Sequence, residues 1–176
     1  KALVQLDGRW LKVNQALCDM LGYTEEEFLK IDFQLLTHPD DLRADLEQVN
    51  KLLNGEGGSY QMEKRYFRKD GGLIWGLLSV SLVLNEDNSP KYFISQIQDI
   101  TEHKRVEAMK NEFISVVSHE LRTPLTAIRG SLGLIEGALS AGVPEKVLGL
   151  ISLANKNSER LLNLISVDAI AHPTRR

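Results

Sequence analysis

The second half of the chain is organised around the stretch SHELRTPL at residues 118–125, which lies inside a long amphipathic pattern. Apolar residues recur in steps of three or four over residues 106–135, so they predict one stripe along a helix of about 35 residues. A second stripe covers residues 147–165. Because only a short loop at 137–144 joins the two helices, we expect a helical hairpin that pairs with a second copy as a dimeric four-helix bundle.

His119 faces away from the apolar stripe of the first helix. It lies two residues from Val117 and from Leu121, so its side chain points about 200° away from both. Arg122 and Thr123 follow three and four residues later and share its outer face. Since a neutral imidazole nitrogen is a competent nucleophile near neutral pH, His119 is the candidate catalytic residue. The alternative is a surface histidine on a dimerising helix.

The neighbours of His119 have candidate roles of their own. Glu120 can orient the ring or take its proton, and Thr123 can place a water molecule. Arg122 can bind a phosphate group. An ordinary solvated side chain is the alternative for all three. Pro124 removes the hydrogen bond to the carbonyl group of Glu120, which predicts a helix bend one turn beyond the histidine.

The first hundred residues predict a mixed α and β domain. Short alternating runs on either side of Asp7-Gly8 indicate a hairpin with a two-residue turn. Three further strands joined by polar turns should pair antiparallel, which completes a five-stranded antiparallel sheet with helices on one face and an α+β fold class. The predicted helices cover residues 14–21, 25–29 and about 37–53, and the later strands cover residues 60–68, 73–84 and 92–100.

Two helix starts carry capping signals. Thr24 and Glu27 have the spacing of a capping box. The segment THPDD at 37–41 provides a capping residue, a proline near the first turn, and acidic side chains beside the positive end of the helix dipole. His38 is therefore interpreted as a histidine of the capping turn rather than as a haem ligand.

Composition excludes several classes of protein. The 176 residues carry a formal net charge of -3, which gives no reason to expect nucleic acid or an anionic membrane surface as a partner. The single cysteine, Cys18, excludes an internal disulfide framework and a Cys-rich zinc module, and no metal site is predicted. No apolar run has the length of a membrane span, and the first residues do not form a signal peptide.

Residues 119–125 resemble the H-box of sensor histidine kinases, which lies in their dimerisation and histidine phosphoacceptor (HisKA) domain. The resemblance covers residues 105–166. It implies that His119 is phosphorylated by ATP, that Glu120 assists as a base, and that the phosphoryl group passes to an aspartate of a response regulator. Thr123 matches the position that assists dephosphorylation of the regulator in this family.

The first hundred residues resemble a PAS domain with its C-terminal (PAC) motif. The matching pieces are NQALCDMLGY at 14–23, HPDD at 38–41, RKDG at 68–71 and DIT at 99–101. The two resemblances together imply four regions. These are a PAS sensor domain at 1–100, a coiled-coil signalling linker at 101–112, the dimerisation and phosphoacceptor domain at 113–170, and an unassigned tail at 171–176.

The ATP-binding domain of this family, with its asparagine-bearing helix and glycine-rich lid, has no counterpart in the 176 residues. ATP with Mg is therefore expected to act as phosphate donor through another domain, and this segment should not autophosphorylate alone. The implied partners are a second copy in a homodimer, a response regulator receiver domain, and the ATP-binding catalytic domain of the same or another kinase. We expect a cytoplasmic segment without membrane contact, from a parent protein that could be membrane-anchored elsewhere.

No ligand is assigned to the PAS domain. Some light-sensing PAS relatives bind flavin through a cysteine, but the Asn-Cys-Arg run of those relatives is missing here. Cys18 is therefore expected to be a small buried residue of a helix. Four aromatic residues at strand positions are predicted to pack in the core and sheet, although some PAS relatives line a ligand cavity with such residues. They are Trp10, Tyr66, Trp75 and Phe93.

The linker between the two halves suggests how they communicate. Thr101 is predicted to cap the long helix, and charged residues around Val106 and Met109 indicate a short parallel coiled coil. The hypothesis is that a change in the PAS core rotates or shifts this coil and alters access to His119. Two other functions stay open: a non-enzymatic PAS dimerisation and interaction module, and a phosphorelay intermediate that a partner kinase phosphorylates.

Overall fold

The computed structural model describes residues 1–137 and 144–171 and divides into two compact units, Lys1–Arg105 and Val106–Arg176. Most of the predicted loop at 137–144 and of the tail at 171–176 lies outside the described residues. The strands are β1 (Ala2–Val4), β2 (Trp10–Val13), β3 (Ser59–Phe67), β4 (Leu73–Leu84) and β5 (Pro90–Asp99). The helices are α1 (Gln15–Leu21), α2 (Glu25–Phe28), α3 (Phe33–Leu36), α4 (Pro39–Leu53), α5 (Thr101–Gly137) and α6 (Glu145–Ala171).

The five strands form one antiparallel sheet in the order β2-β1-β5-β4-β3, which confirms the predicted sheet and the α+β class. The turn between β3 and β4 closes with a 2.8 Å hydrogen bond from the Arg68 N–H to the Gly72 carbonyl. Gly71 has a φ of 84° in this turn, a conformation that costs glycine little. The largest fully buried apolar side chains belong to Leu17, Leu21, Phe28, Leu36, Leu52 and Tyr66.

Side chains cap the three short helices. The Asn14 side chain accepts a hydrogen bond from the Leu17 N–H at the start of α1. Thr24 and Glu27 form both hydrogen bonds of the predicted capping box at α2. Asp32 caps α3, which was not predicted, because a helix of four residues is too short to show a helical period.

The two-residue turn predicted for the first hairpin was wrong in detail. The Gln5 N–H bonds to the Arg9 carbonyl and the Gly8 N–H to the Gln5 carbonyl, so the first hairpin has a longer turn than the two residues Asp7-Gly8. Gly8 occupies this turn with a φ of 95°. At α4 the capping residue is His38, whose Nδ1 accepts a 3.3 Å hydrogen bond from the Asp40 N–H. That bond agrees with the capping interpretation of His38.

The second unit is helical. The predicted long helix is confirmed as α5, which has 37 residues and continues through Pro124. Pro144 precedes α6, and its carbonyl accepts hydrogen bonds from the N–H groups of Val147 and Leu148, so it opens the second helix as predicted. Within the described ranges, none of the helices is both long enough and apolar enough to cross a membrane.

The apolar stripe of α5 is only partly covered in a single chain. Val117, Leu125 and Leu132 are half-buried, and Ser118 beside them is buried. Five other members of the stripe are between 46% and 68% exposed, namely Val106, Met109, Phe113, Leu121 and Ile128. Since several large apolar side chains on one helix face are seldom left in water, this face is suited to a protein partner.

Candidate functional site

His119 lies near the middle of α5 with 77% of its side chain exposed. Its Nδ1 is 3.7 Å from Oε1 of Glu120, whose side chain is equally exposed. That separation is too long for a hydrogen bond but short enough for a rotamer change to form one. Because Glu120 lies beside Nδ1, the other ring nitrogen, Nε2, is the one directed away from the carboxylate.

The remaining predicted site residues occupy the next turn of α5. Thr123 Oγ1 donates a hydrogen bond of 3.4 Å to the carbonyl oxygen of His119. Pro124 has no N–H to give to the Glu120 carbonyl, so the backbone hydrogen-bond ladder is interrupted beside the histidine. Arg122, Thr123 and Pro124 are all exposed. All five predicted residues are therefore exposed on two successive turns of α5, where a second protein can reach them.

The first unit contains a buried ion pair that the sequence analysis did not identify. Lys64 on β3 donates to Asp45 on α4, and each side chain is only 1% exposed. Lys64 also donates to Thr37 Oγ1 at 2.8 Å, and the Tyr60 hydroxyl donates to Asp45 Oδ1 at 2.7 Å. Burial lowers the pKa of Lys64, while the adjacent Asp45 charge opposes that change.

A signal for this pair was present in the sequence. Lys64 lies two positions along the chain from both Met62 and Tyr66. Because side chains alternate between the two faces of a strand, all three lie on the inward face of β3. A lysine among inward-facing residues needs a buried acid. The partner could not be chosen, because the angle at which α4 packs on the sheet selects Asp45 from the several acids of that helix.

The beginning of α5 is fixed to β4. The Ile100 N–H donates to the Trp75 carbonyl at 2.9 Å, and the Trp75 N–H donates to Thr101 Oγ1 at 3.0 Å. Thr101 was predicted to cap the helix, but its hydroxyl instead accepts a hydrogen bond from the N–H of Trp75 on β4. Lys104 Nζ lies 2.6 Å from Glu63 Oε2 and 5.5 Å from the centre of the Trp75 ring.

Two residues considered for cofactors have structural roles. The Nδ1 atom of His38 is engaged in the α4 cap, and its ring stacks on Phe67 with centroids 5.5 Å apart. Cys18 is buried in α1, and burial raises the pKa of its thiol, which lowers its reactivity. Of the four predicted packing aromatics, Trp10, Tyr66 and Phe93 are buried and line an internal cavity, whereas Trp75 is half-buried.

Family models match two separate parts of the chain. The family model of the PAS fold matches residues 11–97, and the model of the His Kinase A (phospho-acceptor) domain matches residues 109–166. The crystal structure of a PAS domain from Colwellia psychrerythraea superposes with a TM-score of 0.52 and 22% identity. It covers 57% of this chain and 86% of that domain, which supports the PAS fold of the first unit.

Two relatives match across both units. The chain is 44% identical over 142 residues to the probable diguanylate cyclase DgcE of Escherichia coli strain K12, covering 81% of this chain and 12% of that protein. It is 30% identical over 142 residues to the sensor histidine kinase TmoS of Ectopseudomonas mendocina, covering 72% of this chain and 15% of that protein. The chain thus spans a small part of either relative. The chain contains a PAS fold followed by a His Kinase A (phospho-acceptor) domain, and together with its sensor histidine kinase relative this order supports a sensor kinase segment.

Proposed function

We propose that His119 accepts a phosphoryl group from ATP and passes it to an aspartate of a response regulator receiver domain. The observation that carries this proposal is the exposed imidazole of His119 beside the Glu120 carboxylate, within the region that matches the phospho-acceptor model. ATP, with its Mg²⁺, is held by the ATP-binding catalytic domain of the same or another kinase. No step requires a cofactor bound to α5.

In the first step, Nε2 of the neutral His119 ring attacks the γ-phosphorus of ATP. The N–P bond forms while the bond from that phosphorus to the β–γ bridging oxygen breaks, and ADP leaves with the electron pair. The ring becomes cationic, and Glu120 stabilises it by accepting the Nδ1 proton. Arg122, one turn along the same surface, binds a phosphate oxygen.

In the second step, a carboxylate oxygen of the receiver aspartate attacks the same phosphorus. The O–P bond forms, the N–P bond breaks, and the electron pair returns to Nε2 as Glu120 gives its proton back to Nδ1. Thr123 assists the dephosphorylation of the response regulator, since its hydroxyl can hold the water that removes the phosphoryl group. Pro124 leaves the helix easier to bend at the point where the partners dock.

The PAS domain controls these steps through α5. The contacts among Trp75, Thr101 and Lys104 support this role, because they attach the first turn of α5 to the sheet. The exposed apolar face of α5 supports a homodimer, in which two copies cover that face and form the four-helix bundle. We infer a cytoplasmic location for this segment, where ATP and response regulators are available.

Phosphotransfer between purified components tests the proposal. The chain is incubated with labelled ATP, Mg²⁺ and the isolated ATP-binding domain of a related kinase, and a receiver domain is added afterwards. Label should appear first on the chain and then on the receiver. Glu120→Gln should slow the first transfer, whereas Thr123→Ala should leave it intact and slow the loss of label from the receiver. A chain that takes no label, with a donor active on its own partner, would favour a non-enzymatic PAS dimerisation module.

A further inference from the structure

Helix α4 is bonded to the edge strand β3 through two acidic side chains that lie one turn apart. Asp41 and Asp45 are separated by four residues, so they share one face of the helix. Asp45 pairs with the buried Lys64. Asp41 pairs with Arg65, which is the next residue of β3. Because consecutive side chains of a strand point to opposite faces of the sheet, α4 holds β3 from its buried face and from its outer face at once.

The backbone of Arg65 is also fixed to the start of α4. Its N–H donates to Asp41 Oδ2 at 2.8 Å, and its carbonyl oxygen accepts a hydrogen bond from the His38 N–H at 3.0 Å. Because β3 is the last strand of the sheet, these bonds occupy backbone groups that no neighbouring strand reaches. The side chain donates from Nε to Asp41 at 2.9 Å and from a terminal nitrogen to Asp40 at 3.1 Å. Arg65 therefore follows the first turn of α4 through both its backbone and its side chain.

On the outer face of the sheet, the ring of Trp75 connects Arg65 to α5. Arg65 and Trp75 are directly opposite each other in the pairing of β3 with β4, and the guanidinium carbon lies 5.5 Å from the centre of the indole ring. Lys104 Nζ of α5 also lies 5.5 Å from that centre. Glu63, which is two residues before Arg65 on the same face of β3, holds Lys104 at 2.6 Å. Two cations, one from β3 and one from α5, thus contact one aromatic ring.

Each cation on the ring has a carboxylate partner of its own. Arg65 is paired with Asp41 on α4. Lys104 is paired with Glu63 on β3. Like charges repel, and these carboxylates offset the repulsion between the two cations. A displacement of α4 that takes the Asp41 charge away from Arg65 therefore increases the repulsion across Trp75, and that repulsion acts on the first turn of α5.

We propose that Arg65 is a positioning residue for α5: it transmits the position of α4 through Trp75 to Lys104, and thereby sets the level of phosphorylation at His119. α4 packs on the core through the buried Leu52, so a rearrangement of the core that displaces α4 also changes the bonds of Arg65. The effect on His119 rests on its proposed function, whereas the link from α4 to α5 does not. Contact alone does not establish coupling between distant elements, so the coupling itself has to be measured.

Amide hydrogen exchange, followed by NMR in the full chain under native conditions, tests the link without any phosphorylation. The Lys104 N–H donates to the Ile100 carbonyl and closes the first turn of α5, so its exchange rate reports local opening of that turn. Arg65→Gln should speed this exchange about two- to fivefold, which corresponds to the loss of one exposed cation–π contact. Lys69→Gln, which breaks the exposed Lys69–Glu27 pair beside the turn between β3 and β4, is the matched control and should leave the rate unchanged.

A second variant covers the case in which Arg65→Gln does not fold. Trp75→Leu keeps an apolar side chain at this half-buried position but removes the ring that the two cations share. It should speed exchange at the Lys104 N–H to the same extent as Arg65→Gln. An unchanged rate in a folded chain with either substitution would overturn the link between α4 and α5, whatever the result of phosphotransfer.

A double-mutant cycle on His119 phosphorylation tests the effect on signalling, with labelled ATP, Mg²⁺ and the donor domain supplied. Arg65→Gln and Lys104→Gln should change the level of label by the same factor of about two or more, and the double variant should show no further change. Arg105→Gln, which alters a 71% exposed side chain of the same turn of α5, is the control and should be labelled like the unmodified chain. Factors that multiply in the double variant would show that Arg65 and Lys104 act independently, and would overturn the coupling. An unlabelled chain would contradict the function proposed for His119, while hydrogen exchange still decides whether α4 and α5 are linked.

Discussion

Lys64 carries an ammonium group into the core of the PAS domain, where 1% of its side chain meets solvent. The Asp45 carboxylate and the Thr37 hydroxyl accept its hydrogen bonds, and Tyr60 donates to the same carboxylate. The ammonium group also lies 4.6 Å from the centre of the Tyr66 ring. Removing two charges from water costs more free energy than their mutual attraction alone provides. The additional hydrogen bonds are needed to offset that cost, so these contacts stabilise the fold only as a complete set.

Removing one member of the pair should therefore be severe. Lys64→Met leaves the Asp45 carboxylate buried without a cation, and we expect it to lower the free energy of unfolding by about 3–5 kcal/mol in a urea titration. Replacing both residues, Lys64→Met with Asp45→Leu, should recover most of that loss. Arg43→Gln, which breaks the exposed Arg43–Glu47 pair, is the matched control and should change little. Equal effects in the core and surface variants would contradict this interpretation.

The ion pair between Arg65 and Asp41 makes the stability of the fold depend on pH. Arg65 donates from Nε to Asp41 Oδ2 and from a terminal nitrogen to Asp41 Oδ1, and these bonds lower the pKa of Asp41 below its ordinary value. A depressed carboxyl pKa stabilises the fold above the unfolded-state value of about 4, and this contribution is lost as pH falls through the lower native value. Unfolding free energies of the unmodified chain and Asp41→Asn should thus differ most at neutral pH and converge in acid.

Glu86→Gln is the control for Asp41→Asn, because it removes one carboxylate from the exposed turn between β4 and β5. Its unfolding free energy should run parallel to that of the unmodified chain from neutral pH into acid. A difference between the unmodified chain and Asp41→Asn that stays constant below pH 4 would show that Asp41 does not contribute through its charge.

Among the helices and strands, the long periodic segments could be predicted from the sequence. A very short helix, and a side chain whose role depends on a distant strand, could not. The apolar stripe predicted the C-terminal end of α5 to within two residues, because nine apolar positions follow one helical period. The four-residue α3 has no period to detect. Thr101 was assigned as a cap because its chemistry suits one, yet the Trp75 N–H from β4 occupies its hydroxyl. A contact with a distant strand therefore decided the role of Thr101.

The attachment of α5 to the sheet leads to a prediction about signalling. One residue inserted after Lys104 keeps the contacts of Thr101 and Lys104 but turns the rest of α5 by about 100°. We expect a changed level of His119 phosphorylation when the donor domain and ATP are supplied. An insertion of seven residues, about two full turns, should restore the level. If one and seven residues have the same effect, rotation of the helix is not the signal.

At the scale of the whole molecule, the single chain leaves an apolar face of α5 in solvent. Phe113 is 68% exposed, and Leu121 and Ile128 are nearly half exposed. Phe113→Glu should therefore weaken the proposed homodimer by at least tenfold, because a carboxylate in an apolar interface is left without a partner. Sedimentation equilibrium measures this directly, with Glu112→Gln at the exposed neighbouring position as control. A dimer that survives Phe113→Glu unchanged would place the interface elsewhere.

Phosphorylation of His119 can be tested by labelling two histidine variants side by side. His119→Gln is compared with His103→Gln, which changes another exposed histidine of the same helix. Each chain is incubated with labelled ATP, Mg²⁺ and an active ATP-binding domain. We predict acid-labile, base-stable label on the unmodified chain and on His103→Gln, and none on His119→Gln. Label that persists on a folded, dimeric His119→Gln chain would contradict the claim.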